Sequence, residues 1–313
     1  MMNRPAQVAV MIPCLNEEAA IPRVVADFRR VLPDALIFVY DNGSSDRTIE
    51  VARSAGAIVR SEPLRGKGNV VRRMFADVEA DIYVLVDGDD TYDAASAPGM
   101  ISKLTDESLD MINGAREESS KDAYRTGHRF GNRMLTGLVA WFFGERLGDL
   151  LSGYRVMSRR FVKSFPALAS GFETETELTV HALQLRLPIA EVATPYKERP
   201  PASASKLRAV PDGMRILKLI ARLIREERPL EFFSAAGLLL ALASIGLAVP
   251  VIAEYLATGL VPRLPTAVLS LGLMVVAFLS FACGLILATV TRGRMELKRL
   301  HYLGYAIRPE RPD

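Results

Sequence analysis

The 313-residue sequence predicts an α/β domain built on a mostly parallel sheet, followed by an amphipathic helix and a two-helix transmembrane hairpin. Three observations predict this class. Short β-rich runs alternate with helical patterns over the first 120 residues, a basic amphipathic segment follows, and two long uncharged stretches come last. The mean hydropathy of +0.16 agrees with such a mixture, because it is high for a soluble enzyme and low for a polytopic transporter.

Composition excludes several other classes. A chain that is 50% hydrophobic with a net charge of +3 is too apolar and too weakly charged to be disordered. With 22 Gly, 18 Pro and 2 Cys it is neither collagen-like nor disulfide-stapled. Cys14 and Cys283 lie in different contexts, which favours a reducing compartment. The small net charge gives no indication of a nucleic-acid partner.

The amino-terminal elements alternate in the manner of a parallel sheet covered by helices on both faces. The predicted strands are Gln7–Ile12, Leu36–Tyr40, Ala57–Arg60, Ile82–Val86 and Met111–Asn113. The predicted helices are Glu17–Val31, Ser45–Ser54, Gly68–Val78 and Ser96–Leu104. The fourth strand is apolar throughout, as expected for a central strand that is buried on both faces.

A polar turn follows each of the first four predicted strands, at residues 13–18, 41–46, 65–69 and 87–90. Open α/β sheets bind ligands beyond the carboxyl ends of their strands, so these turns are expected to form one site. Asp87 and Asp89 could share a Mg²⁺ or Mn²⁺ ion that bridges to phosphate oxygens, and Gly88 allows close backbone approach. Lys67, where a helix opens, could hold an anion. Taken singly, each turn is also consistent with ordinary solvated loop residues.

Two stretches without a charged residue, Phe232–Ala253 and Leu264–Thr291, predict membrane-spanning helices. A pair of buried core helices is the alternative. Basic residues flank the pair on both outer sides, whereas the loop at 254–263 holds a single Arg. We therefore expect a cytoplasmic (inner) membrane protein with two spans, both termini cytosolic and no signal peptide.

Three regions follow from this pattern: a cytosolic domain at 1–210, an amphipathic helix at 211–230, and a membrane hairpin with a short basic cytosolic tail at 231–313. The basic and apolar stripes of residues 212–228 favour a helix in the membrane interface, although a solvated domain helix has the same pattern. Small residues in the second span would allow a homo-oligomer through the transmembrane helices.

Three motifs together resemble the family 2 inverting glycosyltransferases, whose catalytic domain has the Rossmann-like GT-A fold. They are Ile12–Glu18, Asp41–Thr48 and Asp87–Asp89. The resemblance is narrower to the polyprenyl- and dolichyl-phosphate sugar synthases, over residues 1–210 and in the two spans. It implies transfer of one sugar from a UDP- or GDP-sugar to a polyprenyl phosphate with inversion. The product would be a sugar donor for cell-envelope glycan or glycoconjugate modification.

The resemblance also implies roles for individual residues. The nucleotide would be held by Pro13, Leu15, Glu17 and Asp41, and the metal and donor diphosphate by Asp87 and Asp89. Arg199 and Lys206, on a mobile loop, would close on the diphosphate. Relatives often carry a Gln two residues beyond the acidic motif; this chain has Thr91, so Asp90 or water would substitute as a ligand.

The acceptor side and the chemistry follow in the same way. Arg116, Arg129, Asn132 and Arg133 would hold the lipid phosphate, although the 129/133 pair also fits a solvated helix face. Glu175 or Glu177 occupies the position of an acidic catalytic residue in relatives. A phosphate acceptor is already anionic, so the catalytic work would be positioning and charge stabilisation by Asp89, Arg116, Arg199 and Lys206.

Three other functions remain open. A processive polysaccharide synthase shares the fold, but the chain lacks its Gln-x-x-Arg-Trp motif. A nucleotidyltransferase would carry a Gly-rich basic loop after the first strand, where this chain has Pro13–Glu18. A non-catalytic membrane scaffold or lipid-flipping accessory would not need the intact acidic motif.

Overall fold

The computed structural model describes residues 6–118, 148–171, 173–197, 225 and 228–306. The chain divides into two compact units, one of residues 1–216 with 298–313 and one of residues 217–297. The predicted amphipathic helix at 212–228 lies outside the described residues, apart from residues 225 and 228.

A seven-stranded sheet forms the centre of the first unit. Its strands are β1 (Val8–Cys14), β2 (Leu36–Asp41), β3 (Ile58–Ser61), β4 (Ile82–Leu85), β5 (Met111–Glu118), β6 (Arg155–Ser158) and β7 (Ile189–Tyr196). They lie in the order β3-β2-β1-β4-β6-β5-β7. Strand β6 runs antiparallel to both its neighbours, and all other pairs are parallel. The predicted α/β class with a mostly parallel sheet is confirmed.

Six helices of the first unit are described. They are α1 (Ile21–Val31), α2 (Thr48–Ser54), α3 (Lys67–Asp77), α4 (Ser96–Asp106), α5 (Arg159–Ser164) and α6 (Thr174–Leu185). Helices α1 and α2 begin later than predicted, because residues 17–20 and 45–47 form turns that bond to each other instead. Strand β5 extends beyond the predicted Asn113, because it pairs with β7 over its whole length.

The core lies where the helices cover the sheet. Helix α1 buries Ile21, Val24, Val25 and Phe28, which recur at i, i+3, i+4 and i+7 and so form one stripe along the helix. All four residues of β4 are buried, as expected for a central strand. Burial of each such apolar side chain contributes roughly 1.5–3 kcal/mol, which fixes the sheet as a rigid base for the turns at its edge.

The second unit contains two long apolar helices, α7 (Pro229–Thr258) and most of α8 (Leu264–Leu303). Many of their large side chains are exposed; Leu239 is 69% and Phe278 is 70% accessible. A soluble core helix would bury these groups, so the exposure favours a membrane environment. Both helices are long and apolar enough to cross a membrane, and both extend beyond the predicted spans.

The last turns of α8 belong to the first unit. There Lys298 Nζ donates to Gln184 Oε1 at 2.8 Å, and the Tyr302 hydroxyl donates to Asp110 Oδ2 at 2.6 Å. The Arg160 guanidinium donates to the same carboxylate and lies 5.1 Å from the Tyr302 ring centroid. The carboxyl end of α8 is therefore an integral part of the unit that holds the sheet.

Candidate active site

The turns after β1 and β2 bind each other at the carboxyl edge of the sheet. Asn16 Oδ1 accepts from the Ser45 amide at 2.8 Å, and the Asn16 amide donates to Ser44 Oγ at 2.8 Å. The Glu17 amide donates to Thr48 Oγ1, also at 2.8 Å. Asn16 has φ of 53°, a left-handed conformation that Asn tolerates better than most residues. The two turns therefore form one continuous polar surface.

The turn after β2 also organises the turn after β3. The buried Asp41 carboxylate accepts from the amides of Gly43 and Ser44 at 2.9 and 3.1 Å. Asn42 donates to two backbone carbonyls of the next turn and accepts from the Gly66 amide at 2.7 Å. Asp41, predicted to contact the nucleotide, thus also shapes its own turn.

Two glycines, one just before α3 and one in its first turn, pack the start of this helix against a neighbouring backbone. A Cβ at Gly66, where φ is 123°, would lie 2.1 Å from the Ser170 carbonyl oxygen. A Cβ at Gly68 would lie 2.3 Å from the Ala169 carbonyl oxygen. Only glycine fits at either position, and this close packing fixes the helix start that carries Lys67.

Lys67 lies between two carboxylates that the sequence pattern placed in separate motifs. Its Nζ atom is 2.5 Å from both Asp87 Oδ1 and Glu175 Oε1. Burial alone would lower the pKa of Lys67, but the two carboxylates raise it, so the ammonium stays charged. Burial raises the pKa of Glu175, against the opposing effect of the Lys67 charge. The second oxygen of Glu175 is buried and has no hydrogen-bond partner among the described residues.

Asp89 is buried and held by Thr91, whose hydroxyl donates to Asp89 Oδ1 at 2.6 Å. Thr91 therefore orients the carboxylate. Asp90, considered above as a substitute metal ligand, has φ of 60° and pairs with Arg23 at 3.1 Å. That ion pair gives Asp90 a partner in the fold, and Asp87 and Asp89 stay the two residues predicted to hold a metal.

The Asp87-Gly88-Asp89 segment fits a hard divalent cation. A Cβ at Gly88 would lie 2.6 Å from Cys14 Sγ, so glycine is required where the motif packs on the end of β1. Within the described residues, no group of three or more His, Cys, Asp and Glu side chains forms a metal cage. Two carboxylates with diphosphate and water oxygens are a common way of holding Mg²⁺ at phosphate-transfer sites.

The Arg116 side chain forms a salt bridge with Asp149. Its Nε and Nη2 atoms donate to the Asp149 carboxylate at 2.6 and 2.8 Å, and its guanidinium lies 5.5 Å from the Tyr196 ring centroid. Such two-point pairs are strong and directional. The lipid phosphate predicted to bind here would have to share Arg116 with Asp149.

The remaining predicted residues divide into those the structure describes and those it does not. Pro13 lies within β1, and Leu15 is half-buried in the turn that follows. Glu177 accepts from the amides of Leu168 and Ala169 at 2.9 and 2.8 Å, which is a structural contact. Outside the described residues lie Arg129, Asn132, Arg133, Arg199 and Lys206.

Tyr92 at this edge was not indicated by the sequence pattern, whereas Arg155 ends the segment Ser152–Arg155, which resembles a segment near the active site of family 2 glycosyltransferases. The Tyr92 hydroxyl accepts from the Gly153 amide at 2.8 Å, and a Cβ at Gly153 would lie 2.5 Å from Asp87 Oδ2. Arg155, the first residue of β6, is completely buried next to this loop. The sequence signal for Arg155 is its place in the polar, turn-forming Ser152–Arg155 segment, which gives no indication that its side chain is buried.

The family model "Glycosyl transferase family 2" matches residues 9–165. Glycosyltransferase AglJ of Haloferax volcanii is 33% identical over 256 residues, which cover 81% of this chain and 84% of the relative. The dolichyl-phosphate hexose transferase of the same organism is 30% identical over 220 residues, which cover 70% of this chain and 95% of that relative.

A solved structure supports the same assignment. The glucosyl-3-phosphoglycerate synthase of Mycobacterium tuberculosis, in complex with Mn²⁺ and UDP-glucose, superposes with a TM-score of 0.56 and 26% identity. The match covers 70% of this chain and 78% of the synthase. The carboxyl-edge site, the family match and this superposition agree. The chain belongs to glycosyl transferase family 2 and is a glycosyltransferase with a GT-A fold.

Proposed function

We propose that the chain transfers one sugar, with inversion, from a UDP- or GDP-sugar to a polyprenyl phosphate. One observation carries the proposal: the chain joins a carboxyl-edge sugar-transfer site to two long helices whose apolar side chains are exposed. Such a chain suits a water-soluble donor and a membrane-bound acceptor. A relative named for dolichyl-phosphate hexose transfer, matched over 95% of its length, supports the lipid acceptor.

The donor half of the reaction rests on Lys67, Asp87 and Asp89. Asp87 and Asp89 would hold Mg²⁺ or Mn²⁺, and such an ion neutralises charge on a leaving diphosphate. Lys67 is a permanent cation at the same edge, 2.5 Å from Asp87 Oδ1. Pro13, Leu15, Glu17 and Asp41 belong to the turns proposed to hold the nucleotide.

The acceptor half needs cations for a phosphate monoester. An acceptor oxygen forms the new bond to the anomeric carbon while the bond to the nucleoside diphosphate breaks, and the diphosphate leaves with its electron pair. The phosphate is already anionic near neutral pH, so positioning it matters more than removing a proton. We assign that task to Arg116 with Arg129, Asn132 and Arg133. Arg199 and Lys206 would close over the leaving group and exclude water.

The packing of the carboxyl end of α8 supports the proposed membrane topology. Residues 298–306 pack within the same unit as the sheet, so two helices that both cross a membrane would return the chain to its starting side. Together with the basic flanks, this favours both termini on the cytosolic face of the cytoplasmic (inner) membrane. Gly284 and Ala277, two of the small residues in the second span, contact α7 within the hairpin. They therefore give no separate support for a homo-oligomer, which stays a prediction.

The test is a transfer assay in membranes that contain the full chain. Radiolabelled UDP-glucose, GDP-mannose and other nucleotide-sugars are incubated with Mn²⁺ or Mg²⁺ and a polyprenyl phosphate. We expect a chloroform-soluble, mild-acid-labile product that is absent from Asp89→Ala membranes. An insoluble polymer would indicate a processive synthase instead, and no product from any donor would reject the proposal.

A further inference from the structure

Arg155 occupies an unusual place for a charged residue. It opens β6 and pairs with Leu85 at the end of β4 and with Asn113 in β5, close to the edge that carries the acidic motif. Its side chain is 0% exposed and is the largest among the fully buried side chains that the structure describes. A guanidinium in this position must find all its partners inside the protein.

The partners of Arg155 are mainly backbone carbonyls from two different segments. Its Nη2 atom donates to the carbonyl oxygens of Leu150 and Glu175, both at 3.0 Å. Its Nε atom donates to the Ser152 carbonyl oxygen at 3.3 Å, and Nη1 donates to Thr179 Oγ1 at 2.9 Å. The guanidinium thus bonds to the loop before β6 on one side and to the first turns of α6 on the other.

Burial of the Arg155 charge costs free energy that an apolar side chain packed in the same place would not cost. Burial lowers the pKa of Arg155 to about 10, against the opposing charges of Glu175 and Asp149, so the side chain stays protonated at neutral pH. Within the described part of the chain, no carboxylate forms a salt bridge with it. A methionine of similar length would fill the space without a buried charge. What the guanidinium adds is a set of directed bonds between two segments.

Both segments border the Lys67–Asp87 pair. In the loop, Gly153 packs so closely on Asp87 that a Cβ would lie 2.5 Å from its carboxylate. In α6, Glu175 Oε1 is 2.5 Å from Lys67 Nζ, and the Glu175 carbonyl accepts from Arg155. A shift of either segment would change the position of the Asp87 carboxylate or of the Lys67 ammonium.

We propose that Arg155 is a positioning residue for glycosyl transfer, because its guanidinium ties the Leu150–Tyr154 loop to α6 and so fixes the two walls around Asp87 and Lys67. The proposal deepens the proposed function and rests on its donor site, but not on its lipid acceptor. Because Arg155 is completely buried, we assign its effect to Gly153 and Glu175 and not to direct contact with substrate.

The experiment measures binding of Mn²⁺ in the presence of UDP and, separately, of GDP, by loss of the free Mn²⁺ resonance. The full chain is used in detergent or nanodiscs, as wild type, Arg155→Met and Arg155→Lys. We expect Arg155→Met to weaken Mn²⁺–nucleotide binding about tenfold or more, the size of effect seen for outer-shell partners of metal ligands. Arg155→Lys, which keeps the charge and some donors, should recover part of the affinity.

A matched control is Arg160→Met, since Arg160 bonds to Asp110 before β5, away from the acidic motif. It should lower the melting temperature but leave Mn²⁺–nucleotide binding within about twofold of wild type. If Arg155→Met does not fold, Arg155→Lys and Thr179→Val, which removes one partner, give the decisive comparison. Wild-type affinity in the Arg155 variants, or equal weakening in Arg160→Met, would overturn the proposal.

The same binding data separate this proposal from the wider function. A wild-type chain that binds Mn²⁺ with a nucleotide but makes no lipid-linked sugar would reject the polyprenyl phosphate acceptor and leave the role of Arg155 intact. A wild-type chain that binds Mn²⁺ with neither nucleotide would reject the donor site and, with it, the positioning role.

Discussion

The two edges of the sheet each hold a buried cluster of acidic and basic groups, and strand β6 connects them. Arg155 stands at the first residue of β6, and Arg160 lies two residues beyond its last. The two arginines lie at opposite ends of β6. Because β6 runs antiparallel to β4 and β5, Arg155 lies at the carboxyl edge, where β4 ends, and Arg160 lies at the amino edge, where β4 begins. The comparison is informative because the two clusters use similar groups in different ways.

At the amino edge, the buried acid Asp110 accepts hydrogen bonds from each of its described side-chain partners. Asp110 is 0% exposed and accepts from Ser158 Oγ at 2.7 Å, from the Arg160 guanidinium at 2.5 and 3.0 Å, and from the Tyr302 hydroxyl at 2.6 Å. A buried carboxylate with one guanidinium and two hydroxyl donors is fully paired. This cluster is a structural joint that holds the end of α8.

At the carboxyl edge the groups are incompletely paired. Lys67 Nζ contacts two carboxylates at once, and one oxygen of Glu175 has no hydrogen-bond partner among the described residues. Such an arrangement is costly unless a ligand completes it. We infer that complete pairing marks the amino edge as a packing contact, and that the incomplete pairing of Glu175 favours a binding role at the carboxyl edge. We therefore expect substitutions at the carboxyl edge to change mainly the rate of sugar transfer, and substitutions at the amino edge to change mainly the free energy of unfolding.

The largest effect is expected for Asp89→Ala. Removal of the buried carboxylate should lower the rate of sugar transfer about 10³-fold, because a preorganised charge at the leaving diphosphate is lost. The rate is measured with labelled nucleotide-sugar, beside a wild-type sample treated with a chelator, which should show a similar loss. Near-normal transfer by the variant, together with no effect of the chelator, would show that the metal assignment is wrong.

Glu175→Gln and Glu177→Gln form a matched pair on one helix. Glu175→Gln removes a charge that contacts Lys67 and should lower kcat/KM about 10- to 100-fold, less than loss of Asp89. Glu177→Gln only weakens two bonds to the amides of Leu168 and Ala169, so it should cost about 1 kcal/mol of stability and little rate. Transfer kinetics and thermal unfolding of both variants test this; equal effects on rate would contradict it.

His181, which packs near the end of α8, should make stability depend on pH. Burial, with the Lys298 charge, lowers the pKa of His181 to about 3, whereas the unfolded chain titrates near 6.5. The unfolded state therefore binds the extra proton, and stability present above pH 6.5 is lost as the pH falls toward 3. We expect a loss of about 2 kcal/mol between pH 7 and pH 5.

The measurement for His181 is chemical unfolding of wild type and His181→Phe at both pH values. The phenyl ring can pack against Phe161 and Phe165, whose rings lie 5.4 and 5.5 Å from the imidazole. The variant should lack the His181 part of the pH dependence, while its transfer rate at pH 7 stays near wild type. If the free energy of unfolding of His181→Phe differed between pH 7 and pH 5 by as much as that of wild type, the expected titration would be contradicted.

The smallest effect is expected for Tyr302→Phe at the amino-edge joint. Loss of one donor to Asp110 should lower the free energy of unfolding by about 1–2 kcal/mol without changing transfer per folded molecule. Tyr305→Phe is the matched control. The Tyr305 ring contacts Arg159, and its hydroxyl makes no hydrogen bond among the described residues. A lower transfer rate in Tyr302→Phe at full folding would show that the two edges are coupled.

Local sequence patterns predicted the elements and the edge at which chemistry would occur. The apolar run of β4, the polar turns after four strands and the two uncharged stretches are local features, and a parallel sheet places carboxyl ends together. The sequence pattern therefore predicts Asp87, Asp89 and Lys67 at one site. The helix starts were less accurate, because side chains of one turn bond to another turn.

Local sequence patterns were enough to predict the fold class, the acidic motif at the carboxyl edge and two helices long and apolar enough to cross a membrane, because periodicity and uncharged length are properties of adjacent residues. The contact between Glu175 and the Lys67 ammonium, 108 residues apart along the chain, arises only when the chain is folded. The same holds for the pairing of Arg116 with Asp149 and for the burial of Arg155, which only the tertiary structure decides. The positions of Arg155 and of Asp149, in the loop before β6, depend on the placement of β6 between β4 and β5, a pairing that no local pattern encodes.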